Sequence, residues 1–140
     1  MPILMTAGDL NAFLAREFPQ AATEYHVETV AEDEVAVRLK VTDKHLRPGG
    51  TISGPSMFGL ADLAMYAIVL SRIGPVALTV TTNCSIDFMR KPEAGRDLIG
   101  TARLLKLGKL LAVGDVLLRS EGAQEIVARA SLTYAIPPKG

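Results

Sequence analysis

The chain has 140 residues, a length that suits one domain with its own hydrophobic core. Its 15 basic and 15 acidic residues cancel, so the net charge does not indicate a nucleic acid or an anionic membrane as a partner. A single cysteine, Cys84, excludes an intramolecular disulfide and a cysteine-ligated zinc site. The first ten residues lack the basic and apolar regions of a secretory signal, which predicts a soluble cytoplasmic protein.

The first third of the chain alternates between helical and strand patterns. Residues 8–18 carry apolar side chains at helical spacing, and Pro19 ends this predicted amphipathic helix. Residues 25–31 and 34–41 alternate between apolar and polar side chains, which predicts the two strands of a hairpin. Because neither a repeat nor a linker interrupts the chain, we expect residues 1–140 to form one domain.

The helix predicted over residues 55–73 contains one acid, Asp62, and no other charge before Arg72. A helix that is apolar on every side belongs in a core or a membrane, and the acid together with the surrounding strands favours a core. Ser53 or Gly54 is expected as its N-cap. Burying a carboxylate is costly, so Asp62 requires either hydrogen-bond partners or a function.

Four long runs rich in Val, Ile, Leu and Thr follow the helix, at residues 76–90, 97–107, 110–120 and 124–136. The short breaks between them predict an antiparallel meander in chain order. The expected fold class is α+β, with a long central helix wrapped by a curved antiparallel sheet. One sheet cannot cover every side of such a helix, so the remaining apolar surface predicts at least a homodimer.

Four segments give the chain a resemblance to the hotdog-fold acyl-CoA thioesterases of the phenylacetate-degradation (PaaI-like) group. The helix reads Leu60-Ala61-Asp62, like the Leu-Ala-Asp of that family, and the preceding turn reads Ser53-Gly54-Pro55 where the family has His-Gly-Gly. The strand end at Ile86–Pro92 and the closing strand at Ala128–Tyr134 are also similar to those of the family. The resemblance implies the hotdog fold, in which the sheet encloses a central helix.

The resemblance extends over about residues 26–136 and implies hydrolysis of an acyl-CoA thioester to the free acid and coenzyme A. Asp62 would act as general base or nucleophile, and the N–H of Gly54 at the helix start would bind the oxyanion. These two residues lie about 12 Å apart along one helix. The resemblance therefore implies a site built across the interface of a homodimer or homotetramer. No cofactor is implied, because coenzyme A is part of the substrate.

Other side chains are candidates for the same site. Ser53 can orient the thioester or a water, or serve only as the helix cap. Thr81 and Asn83 are two residues apart on one strand, so they are expected on the same face, either beside Asp62 or in solvent. Candidates for the coenzyme A phosphates are basic residues at strand ends, and candidates for the acyl chain are apolar residues of the helix. The phosphate candidates are Arg90, Lys91 and Lys109, and the acyl-chain candidates are Met57 and Phe58.

A second interpretation is a binding module, a hotdog dimer that holds acyl-CoA or another hydrophobic carboxylic ligand without turnover. Ser53 and Pro55, which differ from the family turn, favour this interpretation, whereas the acid at Asp62 favours the enzyme. A structural role for Asp62, in which hydroxyls hold the acid and fix the register of a dimer, is also consistent with the sequence. His26 and His45 lie outside the central helix, which argues against hydratase chemistry, and no metal-ligand spacing is present.

Overall fold

The computed structural model describes residues 2–138 as a six-stranded antiparallel sheet packed around one long helix. The helices are α1 (Ala7–Glu17), α2 (Pro19–Ala22) and α3 (Gly54–Ile73), with a 3₁₀ turn at Asp43–His45. The strands are β1 (Tyr25–Val30), β2 (Val35–Leu39), β3 (Val80–Phe88), β4 (Leu98–Leu107), β5 (Leu111–Ser120) and β6 (Ile126–Ala135). These elements confirm the predicted α+β class, the amphipathic first helix, the hairpin and the long central helix.

Helix α1 closes one edge of the sheet. The Asn11 side chain accepts a hydrogen bond from the N–H of Val27 at 2.9 Å and donates one to the carbonyl of Val27 at 3.0 Å. The N–H and the carbonyl of Val27 point away from β2. Asn11 therefore binds two backbone groups with which another strand could otherwise pair. The middle of the β1 edge is therefore paired within the chain at Val27.

Helix α3 is buried along most of its length, and two glycines allow its close approach to the sheet. A Cβ atom on Gly100 of β4 would lie 3.1 Å from Leu60, and one on Gly114 of β5 would lie 2.8 Å from the sulfur of Met65. A side chain at either position would push the helix away from the sheet. Although α3 is long and apolar enough to cross a membrane, it is the buried core helix of the fold.

The predicted meander is wrong for β3. Strands β4, β5 and β6 pair in chain order, but β3 pairs with β6, so that the sheet order is β1-β2-β4-β5-β6-β3. The intervening residues 89–97 can span roughly 30 Å when extended, whereas three strand spacings amount to roughly 15 Å. The connection is therefore long enough to pass the ends of β6 and β5 and reach the position of β4. As a result, β3 is an edge strand.

A bulge at Thr82 makes the predicted faces of β3 wrong as well. Thr81 lies opposite Tyr134, but the next pair joins Asn83 to Thr133. The extra residue reverses the alternation, so Thr81 faces the helix together with Cys84, and Asn83 is exposed on the other face. The simple two-residue period assumed for this strand does not hold across the bulge.

Replacing Asn11 with Leu is expected to lower the free energy of unfolding by about 2 kcal/mol, because two backbone groups of Val27 lose their partners. Asn11→Asp keeps the acceptor for the Val27 N–H and should cost less. Ala12→Leu, on the exposed side of α1, is the control for changes in helix propensity. Urea denaturation at one protein concentration measures the differences, and native-like stability of Asn11→Leu would contradict the role of Asn11.

Candidate functional site

Asp62 is half-buried on the side of α3 that faces the edge strand β3. Thr81 Oγ1 and Tyr134 Oη both donate to the same carboxylate oxygen, Oδ1, at 2.5 and 2.6 Å. Such distances are typical of hydroxyl groups that donate to an ionised carboxylate. The second oxygen, Oδ2, has no hydrogen-bond partner within residues 2–138. The site therefore presents an anchored carboxylate with one oxygen available.

Tyr134 is the residue of this site that the sequence did not single out. It is buried on β6, and its Oη also lies 2.9 Å from the carbonyl oxygen of Asp62. Burial, assisted by the charge of Asp62, raises the pKa of the Tyr134 phenol far above its ordinary value, so the hydroxyl keeps its proton and remains a donor. In the sequence, Tyr134 is only the end of a closing strand, and nothing there indicates that β6 lies beside β3.

The N-terminus of α3 is largely occupied by its own cap. Ser53 Oγ accepts from the N–H of Ser56 at 3.3 Å, and the Ser53 carbonyl accepts from the N–H of Met57 at 3.1 Å. These contacts confirm Ser53 as the N-cap. Pro55 has no N–H, and the N–H of Gly54 makes no hydrogen bond within the described chain. Gly54 is thus the donor that remains available at the helix start.

A buried histidine holds the loop that leads into α3. The carbonyl of His45 accepts from the N–H of Ser53 at 2.8 Å, and His45 Nε2 lies 2.7 Å from Glu24 Oε1. The other ring nitrogen, Nδ1, accepts from the N–H of Thr42 at 2.9 Å. The hydrogen bond with His45 is the main reason that the pKa of Glu24 is lowered. His45 therefore supports the position of the helix start.

A pocket of about 410 Å³ opens beside this helix start. Three basic side chains line it, those of Arg47, Arg90 and Lys91, and the lining includes no acid. Gly54 and Met57 contribute the helix side of the wall. The pocket therefore brings four of the predicted residues together and adds Arg47, and its charge suits an anionic ligand.

An aromatic ring lies over the helix start in this pocket. The nearest atom of the Phe88 ring is 3.4 Å from where a Cβ atom on Gly54 would lie. Phe88 itself is the last residue of β3 and is half-exposed. The end of the edge strand and the start of the central helix therefore form one wall.

Other predicted site residues lie outside the pocket. Lys109 is in the turn between β4 and β5, at the end of the sheet opposite to Arg90. Phe58 is 39% exposed on the open side of α3. Asn83 faces away from the helix, so the structure does not bring it to Asp62, and the expectation that it shares a face with Thr81 is wrong.

The side of α3 that carries Asp62 is also the side that the sheet leaves open. Pro55, Phe58 and Asp62 follow one another at helical spacing, and none of the three is fully buried. The neighbouring edge of β3 carries the exposed side chains of Val80 (54%) and Phe88 (51%). An open strand edge beside an apolar stripe is typical of a surface that binds another chain.

The family follows from a comparison with known sequences. Residues 49–127, more than half of the chain, match the model of the Thioesterase superfamily. This chain belongs to the thioesterase superfamily. The matched segment contains Gly54, Asp62, Thr81 and the basic residues at the end of β3, whereas Tyr134 lies beyond it.

Individual relatives place the protein within this superfamily. It is 30% identical to the acyl-coenzyme A thioesterase PaaI of Escherichia coli over 128 residues, which are 90% of this chain and 84% of that protein. It is 28% identical to human acyl-coenzyme A thioesterase 13 over 120 residues, or 85% of this chain and 84% of that protein. A crystal structure from Silicibacter sp. TM1040, provisionally named a thioesterase, is 56% identical with a TM-score of 0.92, and the match covers 99% and 96% of the two chains.

These similarities confirm the hotdog fold and the resemblance to the PaaI-like group. The solved structure of the E. coli PaaI protein superimposes with a TM-score of 0.76 at 26% identity, and the match covers 91% of each chain. Helix α3 is accordingly the central helix of the hotdog, and the six-stranded sheet is its wrapping. The protein is a thioester hydrolase by family.

Proposed function

We propose that this thioesterase hydrolyses acyl-CoA to a free acid and coenzyme A, and that Asp62 acts on the thioester carbonyl. The observation that carries the proposal is the half-buried Asp62 carboxylate, which two hydroxyl groups hold by one oxygen while the other oxygen has no hydrogen-bond partner among the described residues. The E. coli and human relatives are named acyl-coenzyme A thioesterases, which supports this class of substrate.

Thioester hydrolysis requires a base or nucleophile at the carbonyl carbon and donors at the carbonyl oxygen. As a general base, Asp62 takes a proton from the attacking water and returns it to the departing thiolate. As a nucleophile, it displaces the coenzyme A thiolate from the acyl carbonyl to form a mixed anhydride, which water then hydrolyses to the free acid and the regenerated Asp62 carboxylate. In both routes the N–H of Gly54, at the positive end of the α3 dipole, donates to the developing oxyanion.

Gly54 and Asp62 of one chain cannot serve the same carbonyl, because eight residues of helix separate them by about 12 Å. The β3 edges of two subunits can pair around a two-fold axis, which brings Gly54 of one subunit close to Asp62 of the other. Two copies of one strand that pair in antiparallel orientation place the start of each strand beside the end of the other. Thr81 is at the start of β3 and contacts Asp62, while Phe88 is at its end and covers Gly54. Each dimer thus forms two sites, with Asp62 and Gly54 from different subunits.

The basic pocket supplies a binding site for the nucleotide end of coenzyme A. Arg47, Arg90 and Lys91 provide three positive charges around one opening, and phosphate oxygens are the groups that such side chains bind best. The apolar groups that continue from this pocket are Met57 inside it and Phe58 on the open side of α3. We assign these two side chains to contact with the acyl or pantetheine chain.

One observation favours a second function, binding of acyl-CoA without turnover. The Ser53 hydroxyl is engaged in the helix cap, where it accepts from the N–H of Ser56 and donates to Ser56 Oγ at 2.9 Å. Pro55 has no N–H, so Gly54 is the available backbone donor of this turn. A single donor stabilises an oxyanion less than a pair does.

Asp62→Asn is expected to lower kcat for acyl-CoA hydrolysis by about 10²- to 10⁴-fold, because the base or nucleophile is removed. The matched control is Asp87→Asn, which changes an exposed acid that pairs with Arg129 on the outer face of the sheet. Release of the thiol from a panel of acyl-CoAs measures the rates. Turnover that survives in Asp62→Asn would rule out the proposed role, and tight binding by native protein without thiol release would support the second function.

Complementation between inactive variants tests the shared site. Gly54→Pro removes the oxyanion donor and is expected to lower kcat by about 10²-fold, whereas Gly54→Ala keeps the N–H and should remain active. Co-expression of Asp62→Asn with Gly54→Pro creates mixed dimers in which one of the two sites has neither change. Random mixing should restore about a quarter of native activity, since half of the dimers are mixed. Absence of any recovery in verified mixed dimers would place both groups in one subunit.

Arg90→Ala is expected to raise KM for acyl-CoA by about 3- to 10-fold, because one charge that faces the phosphates is lost. KM for the same acyl group on pantetheine, which lacks the nucleotide, should not change. Arg103→Ala is the control, since Arg103 pairs with Glu34 on the outer surface. Equal effects of Arg90→Ala on both substrates would show that Arg90 does not contact the nucleotide end.

A further inference from the structure

Two hydroxyl groups contact one oxygen of Asp62, although they belong to different strands. Thr81 is on the edge strand β3, next to its bulge, and Tyr134 is directly opposite on β6. A carboxylate oxygen accepts about two hydrogen bonds, so these two donors occupy Oδ1. The lone pairs that remain for chemistry are those of Oδ2.

We infer that Tyr134 is a positioning residue of the thioesterase reaction, whose hydroxyl holds Asp62 Oδ1 so that Oδ2 is the oxygen that acts on the substrate. This inference rests on the proposed role of Asp62. The χ2 torsion of an aspartate is broad and nearly two-fold, so an unanchored carboxylate samples many orientations. A carboxylate in the wrong orientation slows the reaction, because the reacting atoms must be held close to their productive geometry.

Tyr134 is a firmer anchor than Thr81. Its strand, β6, is paired on both sides within the chain, by β5 and β3, whereas the strand of Thr81 is paired within the chain on one side. The Tyr134 side chain is 2% exposed, and its ring packs at 6.2 Å from that of Tyr66, whose own hydroxyl bonds the carbonyl of Ala77 at 3.0 Å. A phenol held in this way cannot follow a rotating carboxylate, so it determines where Oδ1 lies.

The same environment keeps Tyr134 a donor. Burial and the neighbouring carboxylate raise the pKa of its phenol far above the ordinary value, so Oη keeps its proton near neutral pH. The single proton goes to Oδ1 at 2.6 Å rather than to the Asp62 carbonyl at 2.9 Å, because the carboxylate is charged and closer.

The test is Tyr134→Phe, which removes the hydroxyl and keeps the ring. We expect kcat for acyl-CoA to fall about 10- to 100-fold while KM changes little, because the substrate contacts remain and one charge-assisted hydrogen bond is lost. Tyr66→Phe is the matched control: it removes a phenol of the same aromatic cluster whose partner is the carbonyl of Ala77. The control should lose comparable thermal stability and keep the native kcat.

A crystal structure of Tyr134→Phe provides a readout that does not depend on turnover. We expect the Asp62 carboxylate to be rotated or to occupy more than one orientation. A native kcat in Tyr134→Phe, an equal loss of kcat in Tyr66→Phe, or an unmoved carboxylate would each overturn the inference. Failure of the proposed function can be told apart from failure of this inference. The first would appear as turnover in Asp62→Asn. The second is decided by the orientation of the Asp62 carboxylate in Tyr134→Phe.

Discussion

Burial of one apolar helix is the constraint on which the rest of this structure depends. Helix α3 has apolar side chains around its whole circumference, and the sheet covers it closely because Gly100 and Gly114 leave room for Leu60 and Met65. A single six-stranded sheet still leaves one side of the helix uncovered. That side carries Asp62 and adjoins the edge strand β3, so the carboxylate to which we assign catalysis and the open edge occur together.

The two edges of the sheet differ in how far the described chain covers them. Asn11 binds the outward-facing backbone groups of Val27, which blocks the pairing of another strand at that point of β1. Strand β3 has no such cover within the described chain, and exposed apolar side chains flank it. Pairing through β3 would both cover the remaining side of α3 and complete the proposed site. Folding and catalysis would then depend on the same surface.

Much of this site could be predicted from local sequence. A lone acid in an apolar helix identified Asp62, and the Ser-Gly-Pro turn predicted the cap and the helix start. A basic pair at a strand end singled out Arg90 and Lys91, which line the pocket beside that helix start. Each of these signals depends on residues close together in the chain. The fold class could be predicted for the same reason, since periodicity and turn residues are local properties.

The errors all concern non-local pairing. The 89–97 segment is long enough to cross the sheet, and local patterns do not distinguish such a crossing from a wide hairpin. The bulge at Thr82 reversed the faces of β3 and separated Thr81 from Asn83. Tyr134 was missed because its importance arises from a partner 72 residues earlier in the chain.

By itself, the sequence determined that a buried helix would begin near a glycine and carry a carboxylate about two turns later, because helical burial and capping are properties of contiguous residues. Only the tertiary structure decided that β3 lies at the edge, that Thr81 and Tyr134 share one oxygen of Asp62, and that the other oxygen accepts no hydrogen bond from residues 2–138. Strand order and register depend on how the whole apolar surface is covered at once, and no short segment of the chain contains that information.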